Sequence, residues 1–102
     1  MNSSGTRYNT AIGFATLRDN TTGQYSVAVG HAALPVNLDG NYQTAIGFSA
    51  MSRHSGSTSN DGNTSIGYKS RFYQRTGQYN VAIGLQALYG GSSNTSNANG
   101  YN

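Results

Sequence analysis

The chain holds few residues that could do acid–base or metal chemistry. His31 and His54 are its only histidines, Asp19, Asp39 and Asp61 its only acids, and there is no Glu and no Cys. Without cysteine there is no disulfide framework, thiolate nucleophile or cysteine zinc site. The three aspartates are scattered along the chain with no pairing that would let one act as acid and another as base on a glycoside. The two histidines lack the His-x-His spacing that would ring an axis with ligands, and the Gly-Gly-x-Gly-x-Asp pattern of calcium rolls is missing. No catalysis, metal or cofactor is therefore expected. The residues left with recognition chemistry are tyrosines and bases. Tyr8, Tyr25, Tyr42 and Tyr79 recur at related positions, and Arg53, Lys69, Arg71, Tyr73 and Arg75 form the densest cationic and aromatic stretch, with His54 and Phe72 among them. Either set could contact a receptor or a glycan; the plainer expectations are a structural tyrosine stack and a solvated edge.

These residues are carried by a repeat. Thr10-Ala11-Ile12-Gly13 returns as Val27-Ala28-Val29-Gly30, Thr44-Ala45-Ile46-Gly47, Thr64-Ser65-Ile66-Gly67 and Val81-Ala82-Ile83-Gly84. The glycines lie 17, 17, 20 and 17 residues apart, with the longer step in the polar stretch Ser55 to Asn63. Four residues after each glycine stand Leu17, Leu34, Met51, Arg71 and Leu88. A tyrosine precedes four of the five motifs, and Asn63 occupies that region before the fourth. A period of 17 is too short for a helical hairpin or a propeller blade and suits one coil of a β-solenoid. Thr, Val, Ile and Tyr favour strands, while the intervening Asn20-Thr21-Thr22-Gly23 and Leu38-Asp39-Gly40-Asn41 favour turns. The expected fold is all-β: a parallel β-solenoid of about five coils near residues 8–24, 25–41, 42–62, 63–78 and 79–95, forming one module over residues 1–102. Gly100-Tyr101-Asn102 reads as the start of a sixth coil, which suggests a piece of a longer fibre.

Composition agrees. Gly, Ser, Asn and Thr supply 49 of 102 residues, and only 35% are hydrophobic. Chains this poor in apolar residues are commonly disordered, but those are rich in charge and proline; here 9% are charged and Pro35 is the single proline. Stacked coils satisfy their backbone through inter-coil ladders and need little bulk. Alternation in each strand puts Ile12, Val29, Ile46, Ile66 and Ile83 on one face and small residues such as Ala28, Ala45 and Ala82 on the other. So small a coil cannot fill a wide core. One solution is three parallel chains burying the Ile/Val column at a common axis, with Leu17, Leu34, Met51 and Leu88 completing the core. On that placement Ile46→Asp is far more damaging than Asn37→Asp. The net charge of +3 is too mild for nucleic acid. No run of 18 apolar residues provides a membrane-spanning segment, and the N-terminus lacks the pattern of a secretory signal.

Asn9-Thr10-Ala11-Ile12-Gly13 with Asn20-Thr21-Thr22-Gly23 resembles the repeat arrays of bacteriophage tail-fibre and other virion fibre proteins. Ser26-Val27-Ala28-Val29-Gly30 and Asn80-Val81-Ala82-Ile83-Gly84 are similar to the head repeats of trimeric autotransporter (YadA-like) adhesins. The likeness covers roughly residues 5 to 91, and the 17-residue spacing favours the phage-type array. It implies a left-handed parallel β-roll assembled as a homotrimer, located on the virion surface or, alternatively, the bacterial cell surface. Its expected partners are its own copies, other fibre or virion proteins, and a cell-surface glycan. Ser65, Lys69 and Arg71 depart from the pattern, which marks the fourth coil as different.

Overall fold

In the computed structural model, residues 8–54, 62–73 and 78–90 are described. They form a parallel β-solenoid with no helix. Five three-residue strands, β1 (Thr10–Ile12), β2 (Val27–Val29), β3 (Thr44–Ile46), β4 (Thr64–Ile66) and β5 (Val81–Ile83), stack in chain order into one parallel sheet. The register is that of the repeat: Thr10 pairs with Val27, Val27 with Thr44, Thr44 with Thr64 and Thr64 with Val81. Between coils the ladder continues beyond the strands, for example from Gly30 N to Ile12 O and from Ala32 N to Phe14 O, both at 2.8 Å. Coil-to-coil bonds thus satisfy turns as well as strands.

The coil closes through corners that most residues avoid. Each repeat has positive φ at three positions besides the motif glycine, shown by the second coil: the tyrosine (Tyr25, 58°), the second residue after the glycine (Ala32, 55°) and the fourth (Leu34, 48°); all are non-glycine except Gly62 at the tyrosine position of the fourth coil. The motif glycines lie at φ 122° to 133°, a region closed to other residues. They are also where the backbones of successive coils come closest. A Cβ on Gly30 would stand 2.6 Å from the carbonyl oxygen of Gly47.

Within the single chain the two faces of each strand divide by side-chain size. Ala28, Ala45, Ser65 and Ala82 are fully buried and turn into the coil, where Ala28 and Ala45 pack with Leu17, Leu34, Met51, Ala33 and Ala50. Leu88 is half-buried at the last described rung. The Ile/Val column lies outside this core: Ile12 is 59% and Ile83 52% exposed, and Val29, Ile46 and Ile66 are half-buried. The reason is width. A 17-residue coil is too narrow for a branched strand residue opposite a leucine, so the strand turns its smallest residue inward and the leucine fills the space.

Two polar ladders hold the remaining sides. Asn9, Ser26, Gln43 and Asn63 each accept, through a side-chain oxygen, the backbone N–H of the equivalent residue one coil on, at 2.9 to 3.3 Å. Asn37, expected in a solvated loop, is fully buried. Its Nδ2 donates to Asn20 Oδ1 at 3.0 Å and to Gly40 O at 2.9 Å, so it is no benign control for Ile46. His54 stands at the next rung of the same column, also fully buried, with Nε2 3.1 Å from Gln43 Nε2.

Candidate functional site

Because residues one period apart share a column, exposed aromatic side chains among the described residues line up in ladders. Tyr8, Tyr25 and Tyr42 stack with ring centroids 5.2 and 5.3 Å apart and planes within 5°. At the fourth rung stands Gly62, not Asn63: its φ of 55° matches the 55° to 59° of the tyrosines. The stack therefore lacks one ring between Tyr42 and Tyr79. A second ladder, Phe14–His31–Phe48–Tyr68, runs beside the motif glycines with centroids 5.1 to 5.5 Å apart. His31 is thus an exposed member of an aromatic stack.

The fourth coil breaks the pattern as the sequence suggested, but its two unusual cations part company. Arg71 replaces the inward leucine and is fully buried, its Nη1 3.4 Å from Met51 Sδ. A residue on the inner side of the turn cannot reach a receptor, so Arg71 is removed from the contact set. Lys69, two residues earlier, points out. Its Nζ lies 5.3 Å from the ring centroids of both Tyr68 and Phe72. Arg53, one coil before Tyr73, lies over the Tyr73 ring at 5.5 Å, the proximity that the period implied. Arg75 lies outside the described residues.

Around these cations three half-buried rings meet. Phe72 stacks on Tyr89 at 5.5 Å, and Tyr73 stands edge-on to Phe72 at 4.8 Å and to Tyr89 at 5.2 Å. Tyr89 was not among the residues singled out from the sequence. The available signal was its spacing: it stands one period after Phe72. In the first three coils the Phe72/Tyr89 column holds Arg18, Pro35 and Ser52, and the Tyr73 column holds Asp19, Val36 and Arg53. The ring cluster is thus confined to the turns after β4 and β5.

The electrostatics are simple. Arg18 donates to Asp19, with Nη2 to Oδ2 at 3.0 Å, in the single salt bridge among the described residues. That hydrogen bond holds the Asp19 carboxyl below the usual carboxylate range and raises the Arg18 guanidinium. Neither Arg53 nor Lys69 has such a carboxylate partner among the described residues. Among the same residues no three of His, Asp or Glu come together. What the geometry offers is a repetitive scaffold carrying one aromatic corner with two outward cations. The chain matches no protein-family model, no curated protein and no solved structure.

Proposed function

We propose that the chain is a structural module of a trimeric phage tail (virion) fibre, a stiff rod that carries a host-recognition element. The carrying observation is the column Ile12–Val29–Ile46–Ile66–Ile83. It is apolar, in register over five strands and outside the chain's own core. Beside it on the same face run Thr10, Val27, Thr44, Thr64 and Val81, with Val27 and Val81 also exposed. A contiguous apolar strip of this kind is characteristic of an interaction surface rather than of a solvated one. Three copies facing one axis would cover all three strips equally and leave no unsatisfied strip, which is how a closed symmetric assembly differs from an open one. The mechanical role follows from the backbone: inter-coil hydrogen bonds run along the rod, and each coil is locked to the next at the glycines.

Light scattering over a dilution series tests this reading. A mass of three chains, reduced to one by Ile46→Asp with the coil's far-UV signal retained, is the expected result. A stable monomer with wild-type sequence would refute it. A second reading, a glycan-binding solenoid, is favoured by the aromatic and cationic corner; saturable glycan binding by a monomer would bring it forward.

A further inference from the structure

We propose that the turns after β3, β4 and β5 form a binding site for an acidic sugar ring, with Phe72, Tyr73 and Tyr89 as the apolar contact and Arg53 and Lys69 as the anion contact. This deepens the reading of the rod as a carrier of a recognition element and rests on it for its biological setting, though not for its geometry.

Three observations carry it. The first is the departure from the repeat. The columns that hold Arg18, Pro35 and Ser52, and Asp19, Val36 and Arg53, carry no aromatic ring in the first three coils, and all three rings of the cluster fall together at the fourth and fifth rungs. The second is shape. Phe72 and Tyr89 are parallel within 20°, and Tyr73 stands at 79° and 85° to them, so two ring orientations meet at one half-buried corner. The three rings pack against one another and are each only half-buried, so the apolar surface they leave outside is what the flat C–H face of a pyranose would lie on, with its hydroxyls left to solvent. The third is charge. Arg53 and Lys69 lie against rings of this cluster and are paired with no carboxylate among the described residues. A cation packed on a ring keeps its outer N–H donors available, and an Arg fork matches a carboxylate, sulfate or phosphate. Two cations beside one corner suit a single charged ring. With a net charge of +3 the chain lacks the extended field that a nucleic acid needs.

The test titrates the intact chain with sialyllactose (a carboxylate), a galactose sulfate and a glucose phosphate, with lactose as the neutral control and a hexapeptide of Asp and Glu as the peptide control. Affinity is read by calorimetry at two salt concentrations, and contact by perturbation of tyrosine ring signals in NMR. At least one acidic sugar binds at least tenfold more tightly than lactose, more weakly at higher salt, and shifts the rings of Tyr73 and Tyr89. The strongest of the three identifies the anion. Arg53→Gln removes that preference, Tyr73→Ala removes binding, and Arg18→Gln, a cation removed from the first coil, changes neither. Lactose binding equally well, the acidic peptide binding more tightly, or no ring shift with any sugar would each overturn the site. The mass of the same samples separates the two readings: a trimer that ignores every sugar overturns only the site, and a monomer that binds overturns only the fibre.

Discussion

Replacing Gly47 by alanine puts a methyl group where two coils touch. The Cβ would stand 2.6 Å from the Gly67 carbonyl oxygen and 2.8 Å from its carbon, well inside van der Waals contact. Gly67 cannot retreat alone, because its N–H donates to Ile46 O at 2.8 Å as part of the inter-coil ladder. The φ of 130° adds a second cost, since a residue with a Cβ is strained there by about 1–3 kcal/mol. Opening one or two ladder bonds costs about 1 kcal/mol each. Together these reach about 2–5 kcal/mol, a large part of the 5–15 kcal/mol that holds a typical domain. Gly84 separates the two terms. Its φ is 129°, but no described residue lies within 4 Å of its Cβ position, so among these residues Gly84→Ala meets the conformational strain without the collision. Urea unfolding followed by far-UV circular dichroism, at matched chain concentration, compares the variants. With a slope of about 1–3 kcal/mol per molar for a small protein, the midpoint of Gly47→Ala falls about 1 M below that of Gly84→Ala. Equal midpoints would show that coil-to-coil contact is not what the glycine serves, and the close-stacking argument would fail.

Further outcomes follow from the same rungs. Gly62→Tyr completes the tyrosine stack provided the Tyr79 ring, whose Cδ1 lies 3.3 Å from the Gly62 Cβ position, shifts by a few tenths of an ångström: the backbone already has the left-handed conformation, and two ring contacts of about 0.5–1.5 kcal/mol each outweigh the strain of about 1–2 kcal/mol once the lost freedom of glycine in the unfolded chain, about 0.4–1 kcal/mol, is counted. Tm rises by several degrees in calorimetry; a fall would mean that the rung is not vacant for a ring. Arg71→Leu restores the apolar column of Leu17, Leu34 and Met51, and since an apolar residue commonly replaces a buried ion without loss, the urea midpoint holds or rises; a drop worth more than about 2 kcal/mol would make the guanidinium a structural anchor. Asn37→Asp removes both donations to Asn20 and Gly40 and sets a carboxylate against two acceptors. That raises the folded-state pKa of the introduced carboxyl above its unfolded value, so the variant is least stable at neutral pH and recovers stability in acid; a pH-independent melting difference would place the side chain in water.

What the sequence determined was periodicity. Five copies of a strand-forming triplet closed by glycine, spaced by 17 or 20 residues, admit a stacked parallel sheet in one register, because any slip would break every ladder at once. The tyrosine stack and the Arg53–Tyr73 proximity follow from the same number, since equal period means adjacent rungs. Direction was not in it. Alternation says that Ala28 and Val29 face opposite ways, but only the width of the closed coil decides that alanine points in and valine out. Nor does a leucine announce a left-handed backbone. Leu17, Leu34, Met51, Arg71 and Leu88 all take φ of 47° to 52°, a conformation that none of these side chains favours, because the chain must turn sharply there to aim them at the axis. Arg71 is inside for that reason: the corner sets the direction of the side chain before its charge is considered. The period alone puts Tyr89 beside Phe72, but that Tyr73 turns edge-on to both rings was decided only by the tertiary structure.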